Sequence, residues 1–190
     1  MKTSIYGKII LGLILTALAG FSPLYGDRST PIDVNLIIDS SQALSGVKDE
    51  VIAWASRTLV EQILADGDRI TVWSAGQAAR VVFSGRIDGD SDREGVIKSI
   101  REISAAGDSA DFSGALREAS SGSAPAAPAA FSYTLLISAS PAALTPVLSG
   151  SQANLIRFSR VEEFSGWRVL VVGLNLDAKV RRAAAAFLGS

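Results

Sequence analysis

The chain has 190 residues, of which 48% are hydrophobic and 19% are charged, and its formal net charge is -1. This length predicts one domain with one core, and the balanced charge argues against a nucleic-acid partner. The sequence contains neither histidine nor cysteine, which excludes disulfides, zinc sites built on imidazole or thiolate, and Ser-His or Cys-His nucleophile pairs. The oxygen ligands that remain favour magnesium, calcium or manganese.

Residues 1–26 predict a signal peptide or an N-terminal membrane anchor. Lys2 and Lys8 precede an apolar stretch that has about the length of a signal peptide. The stretch is shorter than the roughly 20 apolar residues that a spanning helix needs. We therefore expect an exported protein, periplasmic or at the cell surface. Cleavage is favoured, and a membrane tether through residues 9–25 is the alternative.

Strand and helix patterns alternate along residues 30–190, which we interpret as a single domain. Short β-rich runs predict strands at residues 32–38, 69–75, 79–85, 131–138 and 167–173. Amphipathic spacing and capping residues predict helices at residues 47–66, 91–103, 111–119, 152–164 and 175–188. Ser91 and Glu94 form a capping box at the start of the second helix.

Two features of this order predict the fold class. Gly76 and Gln77 separate two strands closely enough for a hairpin, which places one antiparallel edge strand in the sheet. The other strands alternate with helices, which predicts a three-layer, Rossmann-like α/β fold with a mostly parallel central sheet and helices on both faces. Sites in such sheets lie beyond the carboxyl ends of the strands. We therefore expect Asp39, Ala139 and the loop before Leu116 to converge there.

Five segments follow one another in a recognisable order. They are DSSQA at 39–43, DRITVWSAGQAARVVFSG at 68–85, ADFSGAL at 110–116, ISAS at 137–140 and VLVVG at 169–173. Together they resemble the motifs of a von Willebrand factor type A (vWA) domain. The first strand of that family ends in Asp-x-Ser-x-Ser, and a later strand ends in Thr-Asp-Gly. The resemblance covers nearly all of the chain after the leader and implies the vWA fold.

The resemblance also implies a metal-ion-dependent adhesion site. In the family, magnesium is held by oxygens of the first motif, by a threonine and by the later aspartate, and a partner often adds a carboxylate. Asp39 and Ser41 match the first motif, whereas the other ligand positions carry Ala43, Ala110 and Ala139. We interpret the site as degenerate. Asp39 and Ser41 then remain as groups that cap the turn and the next helix.

The resemblance implies a non-catalytic protein-binding or assembly module that needs neither a cofactor nor a bound metal. Its partner, a protein of unknown identity, would contact loops that present Asp39, Ser41, Gln42, Asp111 and Ser140. An enzyme is not expected. A hydrolase would need a lysine or carboxylate base, and the lysines fall on predicted helix surfaces away from the serines of the first motif.

An alternative keeps the metal but changes its ligands. Ser109 replaces the threonine if the loop shifts by one residue, and Asp111 supplies a second carboxylate. The module would then be a Mg²⁺-dependent adhesion module that uses Asp39, Ser41, Ser109 and Asp111.

Overall fold

The computed structural model describes residues 31–122, 131–140, 143–144, 147, 156–166 and 168–174. These residues fall in one compact unit, Pro31–Leu176. The predicted leader and closing helix lie outside the described residues, so they and the domain limits of 30–190 stay predictions. Within the described ranges, no helix is long and apolar enough to cross a membrane.

A six-stranded sheet carries the fold, with the strand order β3-β2-β1-β4-β6-β5. Its strands are β1 (Ile32–Asp39), β2 (Arg69–Ala75), β3 (Ala79–Arg86), β4 (Phe131–Ser138), β5 (Ile156–Glu163) and β6 (Arg168–Leu174). β1 is parallel to both of its neighbours, β2 and β4, whereas β3 forms an antiparallel edge against β2. β6 is antiparallel to β4 and to β5. Thus β1, β2, β4 and β5 run in one direction, which confirms the mostly parallel sheet with an antiparallel edge strand.

The prediction of a helix at residues 152–164 is wrong, because β5 occupies most of this segment. β5 pairs with β6 from Ile156 opposite Leu174 to Glu163 opposite Arg168. The intervening turn contains Gly166 at a φ of 89°, a backbone conformation that favours glycine. A connection this short can join two neighbouring strands only in an antiparallel pair. Strand pairing in the folded chain therefore outweighs the helical spacing of the apolar residues.

Within the described ranges, three helices flank the sheet. They are α1 (Lys48–Trp54), which continues as a π-helical segment Ala55–Ile63, then α2 (Asp90–Arg101) and α3 (Phe112–Gly122). A short 3₁₀ turn, Gln42–Leu44, precedes α1.

The predicted capping box of α2 is also wrong, because the helix begins one residue before Ser91. Ser91 therefore lies inside the first turn, and Gly89 precedes the helix without a side chain to cap it. Asp92 contributes instead, since its Oδ2 accepts a hydrogen bond from the backbone N–H of Asp88 at 2.8 Å.

Each face of the sheet carries its own hydrophobic core. Side chains alternate along a strand, so Leu36 and Ile38 pack on the α1 and α2 face. Ile37 packs with Phe112 and Leu116 of α3 on the opposite face. Helices on both faces confirm the predicted three layers. Asp39 follows the same alternation as Ile37, so the end of β1 delivers a carboxylate on the α3 side.

Candidate functional site at the carboxyl end of β1

Asp39 is the last residue of β1 and is fully buried. Its Oδ1 accepts a hydrogen bond from the backbone N–H of Ser41 at 2.7 Å. Its Oδ2 accepts one from the hydroxyl of Ser138 at 2.6 Å. Both carboxylate oxygens are therefore bound by protein donors, as a buried charge requires. The contact with Ser41 is the turn that the sequence predicts for an aspartate at a strand end.

Ser138 connects two strand ends that lie side by side in the sheet. It is the last residue of β4 and is fully buried. Its hydroxyl oxygen accepts a hydrogen bond from the backbone N–H of Ser140 at 2.9 Å, and its one hydrogen points to the carboxylate of Asp39. The chain Asp39–Ser138–Ser140 therefore fixes the β1 turn against the segment that follows β4.

Gly107 fixes the same turn from its other side. Its N–H donates to the carbonyl oxygen of Ser40 at 3.0 Å, and its carbonyl oxygen accepts from the N–H of Gln42 at 2.7 Å. These bonds form a short parallel bridge opposite Ser41. A Cβ atom at position 107 would lie 3.2 Å from the carbonyl oxygen of Ser40. Glycine therefore allows the loop to approach this closely.

Asp111 acts as the N-cap of α3. Its Oδ1 accepts a hydrogen bond from the N–H of Gly114 at 2.8 Å, and its carbonyl oxygen accepts one from the N–H of Ala115 at 3.1 Å. This is the capping geometry that aspartate favours at a helix start. A Cβ atom at position 114 would overlap the Asp111 carboxylate. The pair Asp111 and Gly114 therefore forms one structural unit.

A depression of about 370 Å³ opens above these groups, and we call it the Ser41 depression. Polar residues from three loops line it, together with small ones: Ser41, Gln42, Ala43, Gly107, Asp108, Ser109, Ala110, Ser140 and Ala143. The lining therefore offers hydroxyl and amide groups and a single carboxylate.

The structure brings together some of the residues that the sequence predicts for the site. Four of them line the Ser41 depression: Ser41, Gln42, Ser109 and Ser140. Asp39 and Asp111 are not in its lining. Asp39 lies enclosed below the turn, and Asp111 caps α3.

Sequence reasoning missed Ser138, Gly107 and Asp108. The hydroxyl at the end of a neighbouring strand was a usable signal for Ser138. A glycine beside polar residues in a loop was a weaker signal for Gly107.

The structure shows the surroundings of residues at the family's magnesium-ligand positions. Magnesium needs near-octahedral oxygen coordination. Ala43 and Ala110 line the depression without a side-chain oxygen. Both oxygens of Asp39 already accept hydrogen bonds, and Asp111 is bound to Gly114. Among the described residues, no group of three or more acidic side chains is placed to hold a metal ion.

The structure places three of the segments that carry the resemblance. DSSQA follows β1 at the centre of the sheet, the hairpin forms the antiparallel edge, and ADFSGAL leads into α3 beside the first turn. The fold is similar to that of a vWA domain.

A solved structure of another protein is similar to part of this chain. The chain is similar to the solved structure "von Willebrand factor type A from Catenulispora acidiphila", with 21% sequence identity and a TM-score of 0.43. The match covers 52% of this chain and 24% of that chain, so it spans less than two thirds of that protein's length. No protein-family model matches the chain. No curated protein matches it either.

Proposed function

We propose that the chain is an exported, non-catalytic vWA-type module that binds a protein partner through the loops around the Ser41 depression and needs no bound metal. The observation that carries this proposal is the combination of an open polar surface and an enclosed acid. Gln42 and Ser109 are exposed at the surface, whereas Asp39 is completely buried beneath it. The exposed loops supply the contacts, and Asp39 holds the turn that presents them.

The chemistry of the lining supports a binding role over a catalytic one. Its serine hydroxyls have no histidine or lysine beside them among the lining residues. A serine nucleophile needs an adjacent base to become reactive. Lys98, which could serve as one, is exposed on α2 and lies 4.0 Å from Glu102. The polar loops at the carboxyl edge of a sheet suit recognition of a partner surface.

Export is supported by the sequence of the first residues. Lys2 and Lys8 with the apolar stretch after them form the pattern of a secretory signal. An exported chain without cysteine has no disulfides to stabilise it, so its stability comes from core packing. The two cores contain many side chains whose complete burial stabilises the fold by roughly 1.5–3 kcal/mol each.

The Mg²⁺-dependent alternative has one supporting observation. Ser41 and Ser109, two of its four ligands, line the same depression as the carboxylate of Asp108. A metal held there would use Asp108 in place of Asp111. Sensitivity of partner binding to a chelator distinguishes this alternative from the metal-free module.

A site-specific photo-crosslinking experiment tests the proposal. The full chain is produced in its own host with a benzophenone amino acid at Gln42, at Ser140 or, as a control, at Asp88. Asp88 is exposed and follows β3, so it lies at the other end of the sheet. We expect the same discrete protein adduct from positions 42 and 140, unchanged by EDTA, and none from position 88.

Three results would count against the proposal. Adducts that are the same from all three positions would show that contact is not confined to these loops. The lack of any adduct from positions 42 and 140 would remove the proposed binding surface. Loss of the adduct in EDTA, restored by magnesium, would favour the metal-dependent alternative.

A further inference from the structure

A second depression, of about 430 Å³, lies on the other side of Gly107 and Asp108, which line both. We call it the Ser74 depression, and its polar lining comprises Ser40, Ser74, Gln77, Arg80, Ser104 and Asp108. Ser74 pairs with Ile38 on β1 and with Arg80 on β3. Residues paired in this way point to the same face of a sheet. The Ser74 depression therefore opens on the α1 and α2 face, opposite Asp39 and the predicted metal position.

Two largely buried serines line this depression, and among the described residues their hydroxyls have no protein partner. Ser74 is 2% exposed and Ser40 is 8% exposed. Within the described part of the chain, neither hydroxyl forms a hydrogen bond to another protein group, although both residues line the depression. Neither oxygen is among the fully enclosed polar atoms of the described residues, so both hydroxyls are accessible from the depression and can donate to a ligand acceptor. These two serines therefore mark a place where a ligand acceptor fits.

Gly76 keeps the space above Ser40 open. A Cβ atom at position 76 would lie 2.9 Å from the hydroxyl oxygen of Ser40. Any larger residue at position 76 would thus fill the part of the depression that the hydroxyl faces. The glycine provides room beside a hydrogen-bond donor.

Two opposite charges stand at the depression without an ion pair. Arg80 and Asp108 are both exposed, and neither has a salt bridge within the described ranges. The neighbouring arginines differ, because Arg86 contacts Asp88 and Arg93 contacts Asp66, each at 2.8 Å. The guanidinium of Arg80 is thus available for a carboxylate, which it can bind through two parallel hydrogen bonds.

We infer that the Ser74 depression binds an acidic side chain, aspartate or glutamate, on a peptide segment of the protein partner. Arg80 pairs with the carboxylate, and the hydroxyls of Ser40 and Ser74 donate to it from below. Asp108 faces the same space, disfavours a multiply charged anion such as phosphate, and can accept a peptide N–H. This inference rests on the proposed function, since it names the chemistry that the partner presents to these loops.

A blocked amino acid tests the inference without the partner. N-acetyl-glutamate N-methylamide is titrated into the ¹⁵N-labelled full chain, and backbone amide shifts are recorded by NMR. We expect saturable shifts centred on Gly76, Gln77 and Gly107. Arg80→Gln weakens binding by about tenfold, because an ion pair with a hydrogen bond is lost. Arg57→Gln, at another exposed arginine, is the matched control and leaves binding unchanged.

Further titrations, with other ligands and with the Arg80→Gln variant, define the results that would overturn the inference. Equal binding of the glutamine analogue, stronger binding of inorganic phosphate, or unaltered binding to Arg80→Gln would each contradict a carboxylate site. Shifts that do not saturate would contradict it too. The amide spectrum also reports whether each variant is folded.

A partner adduct from position 42 with no binding of the blocked glutamate would overturn only this inference. Binding without an adduct would overturn only the proposed function.

Discussion

The two ends of β1 use the same chemistry in different surroundings. At the amino end, Asp68 is 1% exposed, and its carboxylate accepts from the backbone N–H groups of Ile32 at 2.9 Å and Ala65 at 2.8 Å. At the carboxyl end, Asp39 is equally buried and accepts from Ser41 and Ser138. Each aspartate fastens one end of the strand to a loop.

The difference lies in what surrounds each acid. Asp68 sits in a turn in which the N–H of Gly67 and the carbonyl of Asp68 are both bonded to Ile87. Asp39 sits below the polar Ser41 depression, which shares Gly107 and Asp108 with the Ser74 depression on the other face of the sheet. A buried aspartate at a strand end is therefore not by itself a sign of function. The open loops above Asp39, rather than its carboxylate, distinguish the two ends.

The largest effect is expected from Asp68→Ala. It leaves one buried and one part-buried backbone donor without their acceptor, and hydrogen bonds to charged groups are worth roughly 1.5–3 kcal/mol each. We expect a loss of about 3 kcal/mol or more in the free energy of unfolding, measured by urea denaturation. Asp88→Ala removes an exposed acid paired with Arg86 and should cost less than about 1 kcal/mol. Equal losses in the free energy of unfolding of the two variants would show that Asp68 does not stabilise the amino end of β1.

A somewhat smaller effect is expected at the carboxyl end. Asp39→Ala should lower the free energy of unfolding by about 2–3 kcal/mol and Ser138→Ala by about 1–2 kcal/mol, because a hydrogen bond between buried groups is lost. The double variant should lose about 1 kcal/mol less than the sum of the single variants. Strictly additive losses would show that this bond does not hold the two strand ends together.

The smallest change in the free energy of unfolding is expected near the third acid, Asp111. Whether this change is a gain or a loss tests the Asp111 cap. Gly→Ala inside a helix usually stabilises by about 1 kcal/mol. We expect Gly95→Ala in α2 to do so, because its Cβ atom would lie at 3.4 Å, an ordinary contact, from Phe83. Gly114→Ala should destabilise, because its Cβ atom would displace the Asp111 carboxylate from its cap.

Introducing Gly114→Ala into the Asp111→Ala variant tests whether the Asp111 carboxylate causes the destabilisation. In Asp111→Ala, which itself loses about 1 kcal/mol of capping energy, Gly114→Ala should become neutral or stabilising. Urea denaturation of all four variants measures both signs. A destabilisation by Gly114→Ala that persists without the Asp111 carboxylate would contradict the proposed overlap.

Local patterns in the sequence predicted the parts of the fold that depend mainly on residues close together in the chain. The apolar run of β1, the hairpin at Gly76 and the face of α1 follow from hydrophobic periodicity and turn residues. The segment around β5 carries apolar residues at a spacing that also fits a helix. Its pairing with β6 decides the outcome, and no local pattern contains that pairing.

The site shows the same division between local and distant information. The turn at Asp39 and Ser41 is local, and the motif reveals it. The hydrogen bond from Ser138 joins residues 99 positions apart, and the approach of Gly107 depends on the folded loop. The Ser74 depression combines residues of β2, β3 and three loops. Such groupings exist only after the sheet has formed, so sequence spacing does not reveal them.

The proposed function requires that Asp39 stabilises the turn and does not hold a metal ion. Thermal melts of the full chain and of Asp39→Asn, first in EDTA and then with millimolar magnesium, manganese or calcium, test it most directly. A ligand that binds only the folded state must raise the midpoint of unfolding. We predict that no cation changes the midpoint of the unaltered chain and that Asp39→Asn is less stable in every buffer. A rise with magnesium that disappears in Asp39→Asn would contradict the claim.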